Sequence, residues 1–271
     1  MVGALTGVDG AEADPRSVPA SLGGSSRTLE ADQTRSHPTW SDRARGGGSI
    51  ALVFVLGYLA VTVTLVLVGE SIVHASLLDG LRSWDNHASQ WLVAHRTSAL
   101  DQFALRSGRI ADTMPVVFVA VAVEVILAVR RHWHELVLVA AGLALELAAF
   151  LTVNQIVARP RPDVAKVGSE PSTYSFPSGH IAATIVLWGC IAFLLVRHAR
   201  PGWRPSVRIV VIAVVALLAA IVGFSRVYRG MHHVTDVVAG AGLGLAALAV
   251  AILILRLTER RPWEPAAVRQ R

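Results

Sequence analysis

Two histidines, two arginines, a serine and a carboxylate stand in three short polar islands of an otherwise apolar chain. The islands are Arg161-Pro162, Pro177-Ser178-Gly179-His180, and Ser225-Arg226 followed by His232 and Asp236. Guanidinium groups are planar donors that match a tetrahedral oxyanion two bonds at a time and keep their charge when partly desolvated. Arg161 and Arg226 are therefore candidate phosphate ligands. Pro177, Ser178 and Gly179 stand just before the apolar run 181–196, where the free amides of a helix N-terminus and a bare glycine backbone let an anion approach closely. His180, at that same terminus, is placed to donate a proton to a leaving oxygen. Ser178 also reads as the N-cap of the helix.

His232 and Asp236 are four apart, so a helix that extends back through His232 stacks both side chains on one face. A carboxylate bonded to one imidazole nitrogen fixes the tautomer and leaves the other nitrogen basic, which is what a nucleophilic histidine requires. The residues together make a phosphate-handling set.

The spacing resembles the three-part signature of the type 2 phosphatidic acid phosphatase superfamily, membrane lipid phosphatases related to vanadium haloperoxidases. The second part of that signature is intact as Pro177-Ser178-Gly179-His180, and the third as Ser225-Arg226, His232 and Asp236 at the family spacing. The first part departs: seven residues before Arg161 the family has a phosphate-binding lysine, and this chain has Asn154. Arg159 and Lys166 are the nearby cations that can substitute, though neither sits at the family position. The resemblance runs over roughly residues 80 to 256 and takes in the stretch 101–112. It implies that His232 attacks phosphorus and forms a phosphohistidine, that Asp236 orients it, and that His180 protonates the departing group and then activates water. It further implies that Arg161, Ser178, Gly179 and Arg226 line the phosphate pocket, with Asn154 and Arg159 as possible substrate contacts, and that neither metal nor cofactor is required.

What must position these residues is a membrane bundle. The chain is 53% hydrophobic with a mean hydropathy of +0.52, and its apolar runs are too long and too poor in charge for ordinary core helices. Six spans are predicted, over about 50–69, 114–129, 136–157, 181–196, 209–224 and 237–255. A span needs ~20 residues, so the shorter ones are expected to extend into their flanks. With these spans, sixteen of the 25 basic residues fall on the side of the two termini, among them Arg130, Arg131, Arg197, Arg200, Arg204 and Arg208. The other nine fall on the opposite side, five of them in or beside the phosphate motifs. The basic excess predicts that both termini are cytoplasmic and that all three islands face the periplasm or exterior.

Residues 1–48 are rich in Ser, Gly, Pro, Asp and Arg with no sustained apolar period, and are expected to be a disordered cytoplasmic arm. No charged start leads into an apolar stretch at the extreme N-terminus, so no cleaved signal peptide is expected. Residues 49–257 form the predicted membrane domain and 258–271 a basic cytoplasmic tail suited to anionic lipid. The long external connection 71–113 carries Leu77, Leu81, Trp84, Trp91 and Leu92 at roughly helical intervals. An interfacial amphipathic helix that guides a lipid tail toward the pocket is expected there.

Net charge is +6, yet the basic residues follow topology and form no stripe or recognition helix, which argues against nucleic acid as a partner. The single cysteine, Cys190, lies mid-span and excludes an internal disulfide. The acids Glu124 and Glu146 lie within spans, where a charge is costly. Trp133, Trp203 and Trp263 flank span ends as interfacial anchors. The expected molecule is an all-α, six-span membrane protein acting as a lipid phosphate phosphatase. Its candidate substrates are undecaprenyl or another polyprenyl pyrophosphate, phosphatidic acid and phosphatidylglycerol phosphate. Two alternatives stay open: a lipid-phosphate binding protein with a weakened site, and a phosphotransferase with an acceptor other than water.

Overall fold

The apolar runs leave the backbone one way to satisfy its amides out of water, which is to bond within each segment. The computed structural model describes residues 40–259, and among these every regular element is helical. From Gly46 onward the described residues form one compact unit. In chain order the helices are α1 (Trp40–His74), α2 (Asp79–Ala94), α3 (Ser98–Gly108), α4 (Thr113–Val129), α5 (Trp133–Val157), α6 (Gly179–His198), α7 (Arg204–Tyr228) and α8 (Val234–Glu259).

Six stretches are long and apolar enough to cross a membrane: Gly48–His74, Ser98–Val129, Trp133–Val157, Gly179–His198, Pro201–Tyr228 and Val234–Glu259. All six predicted spans are present, and each extends beyond its apolar run as the ~20-residue requirement demands. The second reaches furthest, because α3 and the short 3-10 turn Arg109–Ala111 lead directly into α4. The first helix begins at Trp40, inside the stretch assigned to the arm. The rest of the arm and the tail beyond Glu259, with Trp263, lie outside the described residues.

Helices α5, α6 and α8 form the centre. Leu138, Val139 and Leu145 of α5 pack with Val186, Cys190 and Leu194 of α6 and with Ala247, Ala251 and Leu255 of α8. Gly142 lets the three helices meet, since a Cβ there would lie within 3.1 to 3.6 Å of Val186, Ala251 and Cys190 side chains. Helix α1 packs along α5 through Leu65 and Ile72 against Val153 and Val157, helped by a 2.9 Å bond between the Tyr58 and Thr152 hydroxyls. Helix α7 lies against α6, and α3 against α7. Ile209, Val210, Ile212, Val214 and Leu217 of α7 are exposed, the arrangement of a helix whose outer solvent is hydrocarbon.

Helix α2 lies in the connection where the sequence predicts an interfacial amphipathic helix. Its fully buried positions are polar, Asp85 and Ser89, while Trp84 and Trp91 face outward. No α2 residue lines the cavity described below.

Candidate functional site

Three backbone segments meet at one end of the bundle: the connection 158–178 between α5 and α6, the turn 229–233 between α7 and α8, and the first turn of α6. The hub that joins them is Asp236, fully buried in the first turn of α8. Its Oδ2 accepts from the His233 backbone amide at 2.8 Å, from His233 Nδ1 at 3.2 Å and from the Ser175 hydroxyl. Its Oδ1 accepts from Arg159 at 2.6 Å. The bond to the His233 amide is the return half of a capping box, which fixes where α8 begins.

That start has a consequence for His232. Helix α8 begins at Val234, so His232 sits in the preceding turn and the expected helical stacking of His232 on Asp236 does not form. Their closest approach is 3.9 Å, too long for a hydrogen bond. The ring is oriented instead by the Ser175 backbone carbonyl, which accepts from His232 Nδ1 at 2.7 Å. A carbonyl can only accept, so the proton sits on Nδ1 and the lone pair on Nε2. Burial pushes the His232 pKa down to about 3, against the nearby Asp236 carboxylate and with the Arg226 and Arg161 charges. The imidazole is neutral at physiological pH.

His180 opens α6 with its Nε2 3.5 Å from Asp112 Oδ1, a carboxylate just ahead of α4. His180 and His232 line one cavity of about 350 Å³, together with Arg161 and Gly179. Phe150 stacks over Gly179 so closely that a Cβ would meet its ring at 3.0 Å. The rest of the wall is apolar: Val116, Val117 and Ala120 from α4, Leu143, Leu147 and Phe150 from α5. Val117 and Leu147 are about half exposed on the outer side, so this wall is the boundary between cavity and membrane. Glu146 also lines it.

Arg226 is 2% exposed, and its Nε has no partner among the described residues. The fully buried Ser178 hydroxyl is likewise unpartnered. Ser178 does occupy the N-cap position of α6, but its side chain makes no cap bond. Its amide donates to the Asp236 carbonyl at 3.0 Å. A guanidinium nitrogen and a hydroxyl left unpaired in the interior are each costly, and an acceptor brought to each would remove that cost. The Arg226 and Arg161 charges both act on the two imidazoles.

Arg161 reaches the cavity but spends its donors on backbone, bonding the Thr173 carbonyl through Nε at 3.1 Å and Nη2 at 2.9 Å, and the Met231 carbonyl through Nη1. Burial lowers its pKa from the ordinary arginine value, opposed by Glu170 and Asp236. Arg161 is thus a brace between the two connections as well as a charge at the cavity.

Two expectations need correction. Asn154 is buried and faces the 174–176 backbone, with Nδ2 donating to the Tyr174 and Phe176 carbonyls at 2.9 and 3.0 Å and Oδ1 accepting from the Tyr174 amide at 3.1 Å. Its amide matches paired backbone groups, which the ammonium of a lysine cannot do, and it is not part of the cavity lining. Arg159 is buried between Asp236 and Asp85, 3.0 Å from the latter, so it holds the hub rather than contacting a substrate. Lys166 bonds the Pro162 carbonyl.

Sequence reasoning missed three participants. Asp85 braces Arg159 and accepts from the Thr235 amide at 3.2 Å; the polar pair Asp85 and Ser89 at helical spacing was its only signal. Ser175 acts through a backbone carbonyl, which no residue type announces. Asp112 lay inside a stretch noted for resemblance without a role.

Residues 135–260 match the model of the PAP2 superfamily. Phosphatidylglycerophosphatase B of Bacillus subtilis is 43% identical over 88 residues, 32% of this chain and 42% of that protein. Decaprenylphosphoryl-5-phosphoribose phosphatase of Mycolicibacterium smegmatis is 33% identical over 114 residues, 41% of this chain and 53% of that protein. The matched stretches therefore span about half or less of these relatives. The crystal structure of a transmembrane PAP2-type phosphatidylglycerolphosphate phosphatase from Bacillus subtilis shares the fold with a TM-score of 0.63 at 24% identity, covering 77% of this chain and 98% of that one. The match begins in the first turn of α5 and takes in α6, α7, α8 and both imidazoles of the cavity, so a little under half of the chain resembles the PAP2 superfamily.

Proposed function

We propose that this protein is a membrane lipid phosphate phosphatase that works through a phosphohistidine. The observation that carries the reading is the unpartnered Arg226 Nε, with the Ser178 hydroxyl in the same condition, beside a cavity shared by His180 and His232. Cationic and hydroxyl donors without acceptors call for an anion, and the apolar wall between α4 and α5 suits the chain attached to it.

In this reading the phosphoryl oxygens lie against Arg226, the Ser178 hydroxyl and the amides at the start of α6. His232 Nε2 donates its lone pair to phosphorus as the bond from phosphorus to the leaving oxygen breaks. The imidazolium that forms is held by Nδ1–H on the Ser175 carbonyl. His180, with Asp112 beside it, gives its proton to the leaving oxygen and then takes one from a water. That water attacks phosphorus, the P–N bond breaks, and His232 returns to the neutral state. The polar groups at the cavity are chiefly cations and imidazoles, and the buried carboxylate Asp236 is already fully engaged, a set suited to an anion and poorly suited to a divalent ion.

The names of the two relatives support a lipid-linked phosphomonoester, with phosphatidylglycerol phosphate first; phosphatidic acid and a polyprenyl pyrophosphate are the other candidates. The basic excess in the connections on the far side supports cytoplasmic termini and a site open to the periplasm or exterior of the cell membrane. The test is phosphate release by the full chain in detergent from these three lipids with EDTA present. Wild type should turn over at least one of them, and His232→Ala should leave no measurable rate. Dependence on added Mg²⁺, or phosphoryl transfer to an acceptor without phosphate release, would overturn the proposal.

A further inference from the structure

At the opposite end of α6 from His180 a second cluster forms, about 27 Å away at a rise of ~1.5 Å per residue. Glu135, in the first turn of α5, is buried. Its Oε2 lies 3.0 Å from His198 Nε2, at the last residue of α6, and 3.3 Å from His132 Nδ1, just ahead of α5. One atom from each of the three side chains lies within 4.8 Å of the other two. The two imidazoles meet edge to face, with centroids 5.3 Å apart.

We propose that His132, Glu135 and His198 form a binding site for a zinc-class divalent cation, separate from the phosphate cavity. Two imidazoles and one carboxylate are a donor set that suits borderline-soft ions. Bonds of ~2.0–2.1 Å in a tetrahedral site place ligand atoms about 3.3–3.4 Å apart, close to the two edges measured from Glu135 Oε2. The third edge closes by small rotations of the histidines, whose side chains are 40% and 51% exposed.

The surroundings support a built site. Arg197 Nε bonds Glu135 Oε1 at 3.1 Å and orients the carboxylate, while His198 Nε2 straddles it at 2.9 Å from Oε1 and 3.0 Å from Oε2, so the ion would enter between the ring and the carboxylate. Arg197 also pairs with Glu259 at the end of α8, which anchors its guanidinium beside the cluster. The turn from α4 into α5 holds Arg131 at φ 59°, a left-handed conformation that costs a non-glycine residue energy. That turn brings His132 back over the first turn of α5. A cleft lined by Phe193, Val196 and Arg204 leads to the three donors and leaves room for a water as fourth ligand. A bound ion would tie the α4–α5 turn to the end of α6.

The experiment uses the tag-free full chain in detergent, stripped with EDTA, freed of chelator and titrated with Zn²⁺ against a competing metal indicator, with bound metal counted by mass spectrometry. Wild type should hold one Zn²⁺ per chain, and Co²⁺ in its place should show the strong visible bands of a tetrahedral site. His132→Ala and His198→Ala should each weaken binding at least tenfold, and the double variant should lose the stoichiometric ion and the zinc-dependent rise in melting temperature. Zinc retained equally by wild type and double variant would mean adventitious surface binding and overturn the proposal, as would no stoichiometric zinc in wild type. Both histidines are half exposed, so these variants do not depend on the buried Glu135 for a folded protein.

Discussion

At the scale of single residues the site trades stability for binding. Arg226 is a buried charge whose Nε has no described partner, and such a group destabilises the empty protein while waiting for an anion. Arg226→Met is therefore expected to raise the melting temperature of the phosphate-free protein and to lower kcat/KM by about 10²–10³-fold, the range for losing one donor to a developing oxyanion. Thermal unfolding and turnover measured on the same preparations check this, and a variant that lost both stability and activity would contradict it. His232 gives a pH prediction. Its pKa falls from an ordinary 6.5 to about 3 on burial, so between those values the unfolded chain binds a proton that the folded chain does not. Stability should therefore fall as pH drops through that window. Thermal unfolding from pH 6.5 to 4 should show a shallower decline in His232→Asn, whose amide can still donate to Ser175. The identities of His180, His232 and Arg226 were legible because two motifs fix them in order. Their partners were not: spacing assigns a position, while Asn154 and Arg159 are used up by neighbours that only the folded chain brings near.

At the scale of elements, the anion corner depends on how closely α8 approaches α6. Gly240 faces the Ser178 carbonyl, where a Cβ would sit 2.3 Å from the oxygen, and one turn later Gly244 faces the Ala182 carbonyl at 2.8 Å. Small residues four apart are a common means of close helix contact in membranes. Gly242 lies between them with nothing within 4 Å of a Cβ. Gly240→Ala should force the Ser178 backbone away from Asp236 and cost ~10²-fold in kcat, because sub-ångström positioning at a reacting centre is worth that much. Gly242→Ala should leave kcat within about twofold. Equal rates for the two variants, measured at saturating lipid, would show that the contact does not set the corner. The six spans could be read from apolar runs alone, since hydrocarbon imposes length and composition together. The polar anchor of α2 could not, because the apolar spacing announced an interfacial helix but nothing in it announced that the bundle buries Asp85 to brace Arg159.

At the scale of the whole molecule, one end of the bundle gathers the cavity of His180 and His232 and the other the basic connections, with α6 running between them from His180 to His198. The excess of basic residues on the side of the termini predicts that this side is cytoplasmic. The chain supplies a direct way to test it. Its single cysteine, Cys190, is fully buried among α5, α6 and α8, so it stays unlabelled in place and any introduced thiol reports alone. Tyr174 is 43% exposed on the connection beside the cavity, and Trp203 is 68% exposed on the turn between α6 and α7. In intact cells, a membrane-impermeant maleimide should label Tyr174→Cys and spare Trp203→Cys until the membrane is permeabilised. The reverse pattern would place the cavity on the cytoplasmic side and require its lipid substrate to be presented from the inner leaflet, while labelling of both sites before permeabilisation would mean that the two connections are not on opposite faces.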